Sequence, residues 1–439
     1  LKISNFWKSS IGFSFFTLIS RVFGYIRDLI FAAMLGASAI HDVFVVVFKI
    51  PNVFRSFFGE GALSQSLTPS IIEAREYAKD FLNQIFTILF VSLVLFVSFV
   101  LIFPNFFIDI FAPGFSNDPE KYLAATNFLQ LVFPYIFLIS LVAFFGAIQN
   151  SKKYFQFVAA TPILFNLTLI VFALYSNELT LSVIGLSVLV AGLLQLVLNF
   201  SVSVYLGYMP NFNFSFNKKL LRIFFSRFLP AIFAAGIYQL NVLVDTIYAS
   251  FLDTGSPTWL YLSDRLIQFP MGLFGVAIAL VALPDLTETI LKKDKIEFRK
   301  VLQKGFSSTF LIGLFSGIFY ILLSTQVIEL LFMRGEFNSN DVQMTASSLV
   351  AYSYALPFLL SSKFFNSVFF AASKTKFVLI IGFISLLTNL ILNYVFIFMY
   401  DLGHVGLALA TTCAATLSWL ISLLFIYKIN KGISYARQI

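Results

Sequence analysis

Apolar stretches long enough to cross a lipid bilayer recur along the whole chain. A membrane-spanning helix needs about 20 apolar residues, at a rise of about 1.5 Å per residue. With 59% hydrophobic and 11% charged residues, the chain is predicted to be an all-α polytopic membrane protein. Divided at charged or Gly-, Pro- and Asn-rich turns, it gives twelve predicted transmembrane helices, at about 10–36, 40–69, 82–111, 122–149, 155–176, 180–207, 219–251, 257–289, 303–323, 342–372, 375–400 and 403–429. Several exceed the bilayer thickness, so kinks are expected at Gly24, Pro51 and Pro270.

The basic residues of the loops predict the orientation of these helices. Twenty of them fall on the side of the N-terminus, and two, Lys121 and Arg334, on the other side. The positive-inside rule therefore predicts that both termini are cytoplasmic. The same loops explain the net charge of +8, so we expect no nucleic-acid partner. Because no cleavable signal pattern precedes the first apolar segment, the first helices are expected to direct insertion themselves.

The longest polar connection, Met209 to Lys219, divides the predicted helices into two groups of six. We therefore predict an N-terminal lobe at 1–210 and a C-terminal lobe at 211–439, arranged around a central cavity. A weak internal sequence similarity supports a duplication: AAMLGASAIHDVF in the first half resembles ASFLDTGSPTWLY in the second.

Charged residues inside the predicted helices indicate where function resides. The basic ones are Arg21, Arg27, Lys49, Arg55, Arg265 and Lys363, and the acids able to pair with them are Asp28, Asp42, Glu60 and Asp264. An arginine facing lipid at the bilayer centre would cost about 2.5–3.5 kcal/mol, so these side chains must face protein or water. A guanidinium group binds paired phosphate oxygens in a bidentate manner, which favours a phosphate-bearing substrate.

The alternative is that the arginines form structural ion pairs between helices or extend to the membrane interface. Adjacent residues point about 100° apart on a helix. We therefore expect that Arg27 and Asp28 do not simply neutralise each other side by side.

A second polar set lies in the C-terminal half, at Asn241, Asp245, Asn389, Asn393, Thr411 and Thr412. Oxygen ligands from three helices could hold Na⁺ or accept a proton. The alternative is hydrogen bonding between helices. The single cysteine, Cys413, lies in an apolar run and is expected to be a buried bystander.

Several motifs resemble those of one transporter family. SRVFGYIRD, HDVF, KIPNVFRSFFGEGALSQSLTP and WLYLSDRLIQFPMGLFGVA closely resemble the MurJ (MviN) lipid II flippases of the multidrug/oligosaccharidyl-lipid/polysaccharide (MOP) exporter superfamily. The resemblance covers essentially the whole chain. It implies a core of two six-helix lobes, alternating access, and export of the lipid-linked peptidoglycan precursor across the bacterial cytoplasmic (inner) membrane. The family usually has fourteen helices, so with twelve here the lipid tail must be handled differently or two helices are missing.

The resemblance also implies which residues bind the substrate. The essential arginines of the family fall on Arg21, Arg27, Arg55 and Arg265, and the same motifs contain Ser20, Asp28, Asp42, Asn52 and Asp264. A sodium site is implied near Asp245, Asn389 and Asn393. In two places the chain departs from the family: Gln268 replaces a common acid, and Asn393 stands where a carboxylate would bind Na⁺ more strongly.

These observations lead us to expect a transporter without a cofactor, driven by Na⁺ or the membrane potential, and not an enzyme. No P-loop, HExxH, GxSxG or paired-carboxylate motif is present in the sequence. The expected partners are lipid II, whose diphosphate would bind the arginines, and membrane lipids, with the chain acting as a monomer. The alternatives are an exporter of another polyprenyl-diphosphate glycan, a drug or organic-cation antiporter of the same superfamily, a polytopic glycosyltransferase and a non-transporting scaffold. The excess of intramembrane arginine disfavours the drug antiporter, and the short loops disfavour the transferase.

Overall fold

The computed structural model describes residues 5–58 and 61–435, and Glu60 lies outside this part of the chain. Its regular secondary structure there is entirely helical. The helices of the first half are α1 (Asn5–Leu35), α2 (Ala39–Val47), α3 (Lys49–Phe58), α4 (Ala62–Ala74), α5 (Ala78–Ile102), α6 (Pro104–Phe111), α7 (Pro119–Val132), α8 (Tyr135–Ser151), α9 (Phe155–Tyr175) and α10 (Leu181–Tyr205). Those of the second half are α11 (Lys218–Ala249), α12 (Ser256–Pro270), α13 (Val276–Leu291), α14 (Lys295–Phe332), α15 (Ser339–Ser353), α16 (Leu356–Ala371), α17 (Thr375–Tyr394) and α18 (Gly403–Tyr435).

Eight helical runs within the described residues are long and apolar enough to cross a membrane, and α16 is a shorter apolar helix. The helices follow the twelve predicted segments closely, so the predicted all-α polytopic fold is confirmed. Several segments are divided into shorter pieces. The second is the most divided, into α2, α3 and α4.

Prolines account for two of these divisions. Pro51 has no N–H to donate to the carbonyl of Val47, the residue at which α2 ends. Pro270 ends α12, and a π-helical turn, Met271–Gly275, connects it to α13. Both were expected as irregular positions. At Gly24, by contrast, α1 continues without interruption.

Two expectations were wrong. The ninth segment, predicted at 303–323, starts earlier, at Lys295, because the Asp294 side chain accepts from the N–H groups of Ile296 and Glu297 and so begins α14 among charged residues. At the predicted end the helix is kinked, at Leu323, and it then continues to Phe332. The apolar run alone does not reveal a helix start that lies among charged residues. Cys413 is exposed and not buried, since it lies on the outward face of α18.

The described residues form two compact units, one ending at Gln239 and the other beginning at Leu240. The same order of packing occurs within each unit. In the first, α2 packs on α7, α4 on α8, and α9 on α10; in the second, α12 packs on α15, α13 on α16, and α17 on α18. This is the pattern that an internal duplication produces.

The polar connection after α10 is fastened to the first unit. Three of its backbone N–H groups donate to side chains on α5: Asn211 to Asn83 at 3.2 Å, Asn213 to Thr87 at 2.8 Å, and Asn217 to Gln84 at 2.8 Å. The hydroxyl of Tyr208 also donates to Asn83, at 3.1 Å. The connection therefore belongs to the first compact unit, while the lobe division at 210/211 stays a prediction.

Candidate functional site

Arg27 lies buried on α1, with 6% of its surface exposed. Its Nε and Nη2 atoms donate to Oδ1 of Asp28, at 3.1 and 2.6 Å. The expectation that these adjacent residues do not pair is therefore wrong. The long arginine side chain bends sideways and covers the angular separation of the two Cβ atoms. A paired guanidinium costs far less to bury than an isolated one.

A second partner of Arg27 is Asn166 on α9, which is not among the predicted site residues. Nη1 of Arg27 donates to Oδ1 of Asn166 at 3.1 Å. The Asn166 amide nitrogen donates to the carbonyls of Ser20, at 3.3 Å, and Pro162, at 3.1 Å. A lone asparagine in an apolar helix was the available signal, but that pattern alone does not distinguish a partner of an arginine from a packing residue.

Apart from Asp42, the remaining predicted residues of the first unit lie near the surface or at intermediate depth. Ser20 is half-buried, and Arg21, beside it on α1, is exposed. On α3, Asn52 and Arg55 are both half-buried. These positions leave Arg21 and Arg55 more accessible to a ligand than Arg27.

Arg265 and Asp264 lie half-buried on α12 in the second unit. Nε of Arg265 donates to the Tyr261 hydroxyl at 3.3 Å, and the guanidinium carbon lies 5.3 Å from the centre of the Tyr261 ring. Gln268, the residue that departs from the family pattern, donates its amide to Asp264. Glutamine at this position gives Asp264 a neutral hydrogen-bond donor from its own helix.

Asp42 occupies a different environment from the other predicted site residues. It is fully buried at the start of α2 and accepts from the ammonium group of Lys121 on α7, at 3.0 Å. That ammonium lies 4.8 Å from the centre of the Phe115 ring. Lys121, predicted to be one of two basic residues on the side opposite the N-terminus, is thus a buried partner that the sequence analysis did not single out.

The second unit has the equivalent contact with other residues. Asp42 lies four residues after Ser38, the N-cap of α2, and Trp259 lies four residues after Gly255, the N-cap of α12. Lys121 lies three residues after the N-cap of α7, and Asp341 lies three residues after the N-cap of α15. Nε1 of Trp259 donates to Oδ1 of Asp341 at 3.1 Å. The first turns of two helices are therefore joined in each unit. An ion pair joins α2 to α7 in the first unit, and an indole–carboxylate hydrogen bond joins α12 to α15 in the second.

The predicted sodium ligands come together in the second unit. The Asn393 amide nitrogen donates to Oδ1 of Asp245 at 2.9 Å and to Oδ1 of Asn389 at 3.0 Å, and Asn389 donates to the Thr411 hydroxyl at 3.3 Å. Oδ1 of Asn393 is buried and accepts no hydrogen bond from the described part of the chain. A buried acceptor without a donor suits a hard cation, which takes oxygen ligands. Among the described residues, no three His, Cys, Asp or Glu side chains are grouped to hold a metal.

Comparison with known proteins adds independent observations. Residues 31–437 match the family model described as lipid II flippase MurJ. The chain is 35% identical, over 427 residues, to a probable lipid II flippase MurJ of Buchnera aphidicola subsp. Acyrthosiphon pisum, covering 95% of this chain and 83% of that protein. It is 33% identical to a probable lipid II flippase MurJ of Vibrio cholerae, covering 94% of this chain and 81% of that protein.

Solved structures agree with the family match. A lipid II flippase MurJ in an inward closed conformation superposes with a TM-score of 0.84 at 28% identity, over 97% of this chain and 90% of that one. An inward-facing multidrug-resistance MATE transporter of the MOP superfamily shares the fold, with a TM-score of 0.76 at 14% identity, over 95% and 96% of the two chains. From the family match, the sequence identity and the shared structure, we conclude that this chain is a multi-pass membrane protein that belongs to the MurJ lipid II flippase family.

Proposed function

We propose that this protein exports lipid II, the undecaprenyl-diphosphate-linked peptidoglycan precursor, from the inner to the outer leaflet of the bacterial cytoplasmic membrane. The observation that carries the proposal is the match to lipid II flippases across residues 31–437, which include α3 and α12 with Arg55 and Arg265. Transport proceeds by alternating access, with both termini in the cytoplasm. The chain works as a monomer among membrane lipids.

The diphosphate binds to the guanidinium groups of Arg21, Arg27, Arg55 and Arg265. Charge-assisted bidentate hydrogen bonds make arginine suited to this task, and a site shielded from water strengthens them. Ser20, Asn52 and Asp264 lie in the same helices at intermediate depth and shape the site. Asp28 and Asp42 act from buried positions, each paired with a base.

The energy for export comes from the membrane potential, from Na⁺, or from both. Moving one net negative charge outward across an inside-negative membrane gains up to about 2.3 kcal/mol per 100 mV. A sodium ion would be held by Asp245, Asn389 and Asn393, where the buried Oδ1 of Asn393 offers a ligand. A ligand shifts a conformational equilibrium only through its different affinity for the two states, so lipid II must bind the outward state differently from the inward state.

The direct test places this chain in a bacterial strain whose own lipid II exporter can be depleted. We expect the chain to sustain growth and to keep lipid II reaching the outer leaflet, measured by its accessibility to an external, membrane-impermeant label. Accumulation of lipid II on the cytoplasmic leaflet, with normal amounts of folded protein in the membrane, would contradict the proposal. Rescue of a strain that lacks the exporter of another polyprenyl-diphosphate glycan, without rescue of lipid II export, would assign that glycan instead.

A further inference from the structure

The Arg27 guanidinium is held in one orientation by two elements of the first unit. Asp28 on α1 takes hydrogen bonds from Nε and Nη2, and Asn166 on α9 takes one from Nη1. Bonds to all three nitrogen atoms fix the plane of the group. Asp28 belongs to the same helix as Arg27, whereas Asn166 relates the guanidinium to a neighbouring helix.

The orientation of the Asn166 amide follows from its partners. Arginine can only donate, and the carbonyls of Ser20 and Pro162 can only accept. The amide oxygen must therefore face Arg27, and the amide nitrogen must face the two carbonyls, as in the structure. The assignment does not depend on distinguishing the two amide atoms.

Asn166 contacts α1 over nearly two turns. Ser20, Gly24 and Arg27 share one face of α1 at the spacing i, i+4 and i+7. The amide bonds to the first and the last of these residues, and a Cβ added at Gly24 would lie 3.5 Å from the Asn166 amide nitrogen. The amide thus lies across the segment that also contains Arg21.

We infer that Asn166 is a positioning residue for lipid II: it aims the Arg27 guanidinium, and with it the α1 segment from Ser20 to Arg27, at the diphosphate. The inference rests on the proposed function and extends it to a residue on α9. Without the acceptor at Asn166, the guanidinium keeps Asp28 but loses the hydrogen bond that ties Nη1 to α9. Hydrogen bonds to charged groups contribute about 1.5–3 kcal/mol, so we expect the affinity for lipid II to fall about tenfold to a hundredfold.

The test measures lipid II binding to the purified full chain, for the wild type, Asn166→Leu, Arg27→Gln and the double variant. Leucine has the same branched side-chain shape but offers no acceptor. Asn199→Leu is the matched control, because Asn199 is a buried amide of the same unit that bonds to Thr161 at 3.0 Å and to Gln195 at 2.9 Å, and not to an arginine. Thermal unfolding of each variant is recorded alongside. Asn166→Ala replaces Asn166→Leu if the latter does not fold.

We expect Asn166→Leu to weaken binding while Asn199→Leu, with a similar loss of thermal stability, binds as the wild type does. In the Arg27→Gln background, Asn166→Leu should have little further effect, because the side chain that it positions is gone. Equal weakening by both asparagine variants, or full additivity with Arg27→Gln, would overturn the inference and assign Asn166 a packing role. A wild-type chain that does not bind lipid II would instead overturn the proposed function.

Discussion

Asp28 in the first unit and Asp245 in the second occupy the same position of the internal repeat, yet they have different partners. Asp28 lies ten residues before Ser38, the N-cap of α2, and Asp245 lies ten residues before Gly255, the N-cap of α12. Asp28 accepts from a guanidinium that its own helix supplies. Asp245 accepts from the Asn393 amide, and the buried oxygen of that amide has no donor in the described part of the chain.

The two acids therefore accept from different kinds of hydrogen-bond donor. In the first unit a fixed cation, the Arg27 side chain, neutralises the acid permanently. In the second unit a neutral amide donates to Asp245, and the oxygen of that amide accepts no hydrogen bond within the described residues, so a hard cation could take it as a ligand. We propose on this basis that the first unit serves the anionic substrate and the second a coupling ion.

The largest effect is expected from breaking the fixed pair. Arg27→Met leaves the Asp28 carboxylate buried without its cation, and such a change typically costs about 3–5 kcal/mol of stability. The thermal unfolding temperature in detergent should therefore fall sharply for Arg27→Met. The double variant Arg27→Met/Asp28→Asn removes both charges and should recover much of the loss. A double variant less stable than Arg27→Met would show that the pair does not act as a unit.

The contacts between helix starts give the next comparison. Lys121→Met leaves Asp42 buried and uncompensated, so we expect a loss of about 3–5 kcal/mol. Trp259→Phe removes only the donor to Asp341, which also accepts from the Asn338 backbone, and should cost about 1.5–3 kcal/mol. Unfolding temperatures measured side by side decide the order. Equal losses would mean that the ionic character of the first contact is unimportant.

The smallest effect concerns the exchangeable cation. Asn393→Asp adds a second carboxylate beside Asp245, so Na⁺ should stabilise this variant more than the wild type. At a sodium concentration a hundred times the dissociation constant, the gain is about 2.7 kcal/mol. Unfolding is measured in NaCl against choline chloride at equal ionic strength, with Asn199→Asp as a control at a buried amide of the first unit. If Na⁺ stabilises Asn393→Asp and the wild type equally, Asn393 is not part of a sodium site.

Much of the fold was predictable because the bilayer sets the length of each apolar helix. The pairing partners were not. Arg27, Asp28 and Asp42 were recognisable as charges that had to be shielded, but Asn166 and Lys121 lie 139 and 79 residues away from Arg27 and Asp42 along the chain. Only the packing of α1 on α9 and of α2 on α7 brings them together. The start of α14 was missed for a local reason, since a cap at Asp294 extends a helix beyond its apolar run.

The most direct test of the central claim, that arginines of this chain bind the diphosphate of lipid II for export, is lipid II export by Arg265→Ala. Arg265 is half-buried on α12 and donates to the Tyr261 hydroxyl. Arg334→Ala is the matched control, an exposed arginine of the same unit. We expect Arg265→Ala to abolish the appearance of lipid II on the outer leaflet at a normal protein level, while Arg334→Ala exports as the wild type does. Normal export by Arg265→Ala would contradict diphosphate binding by this arginine.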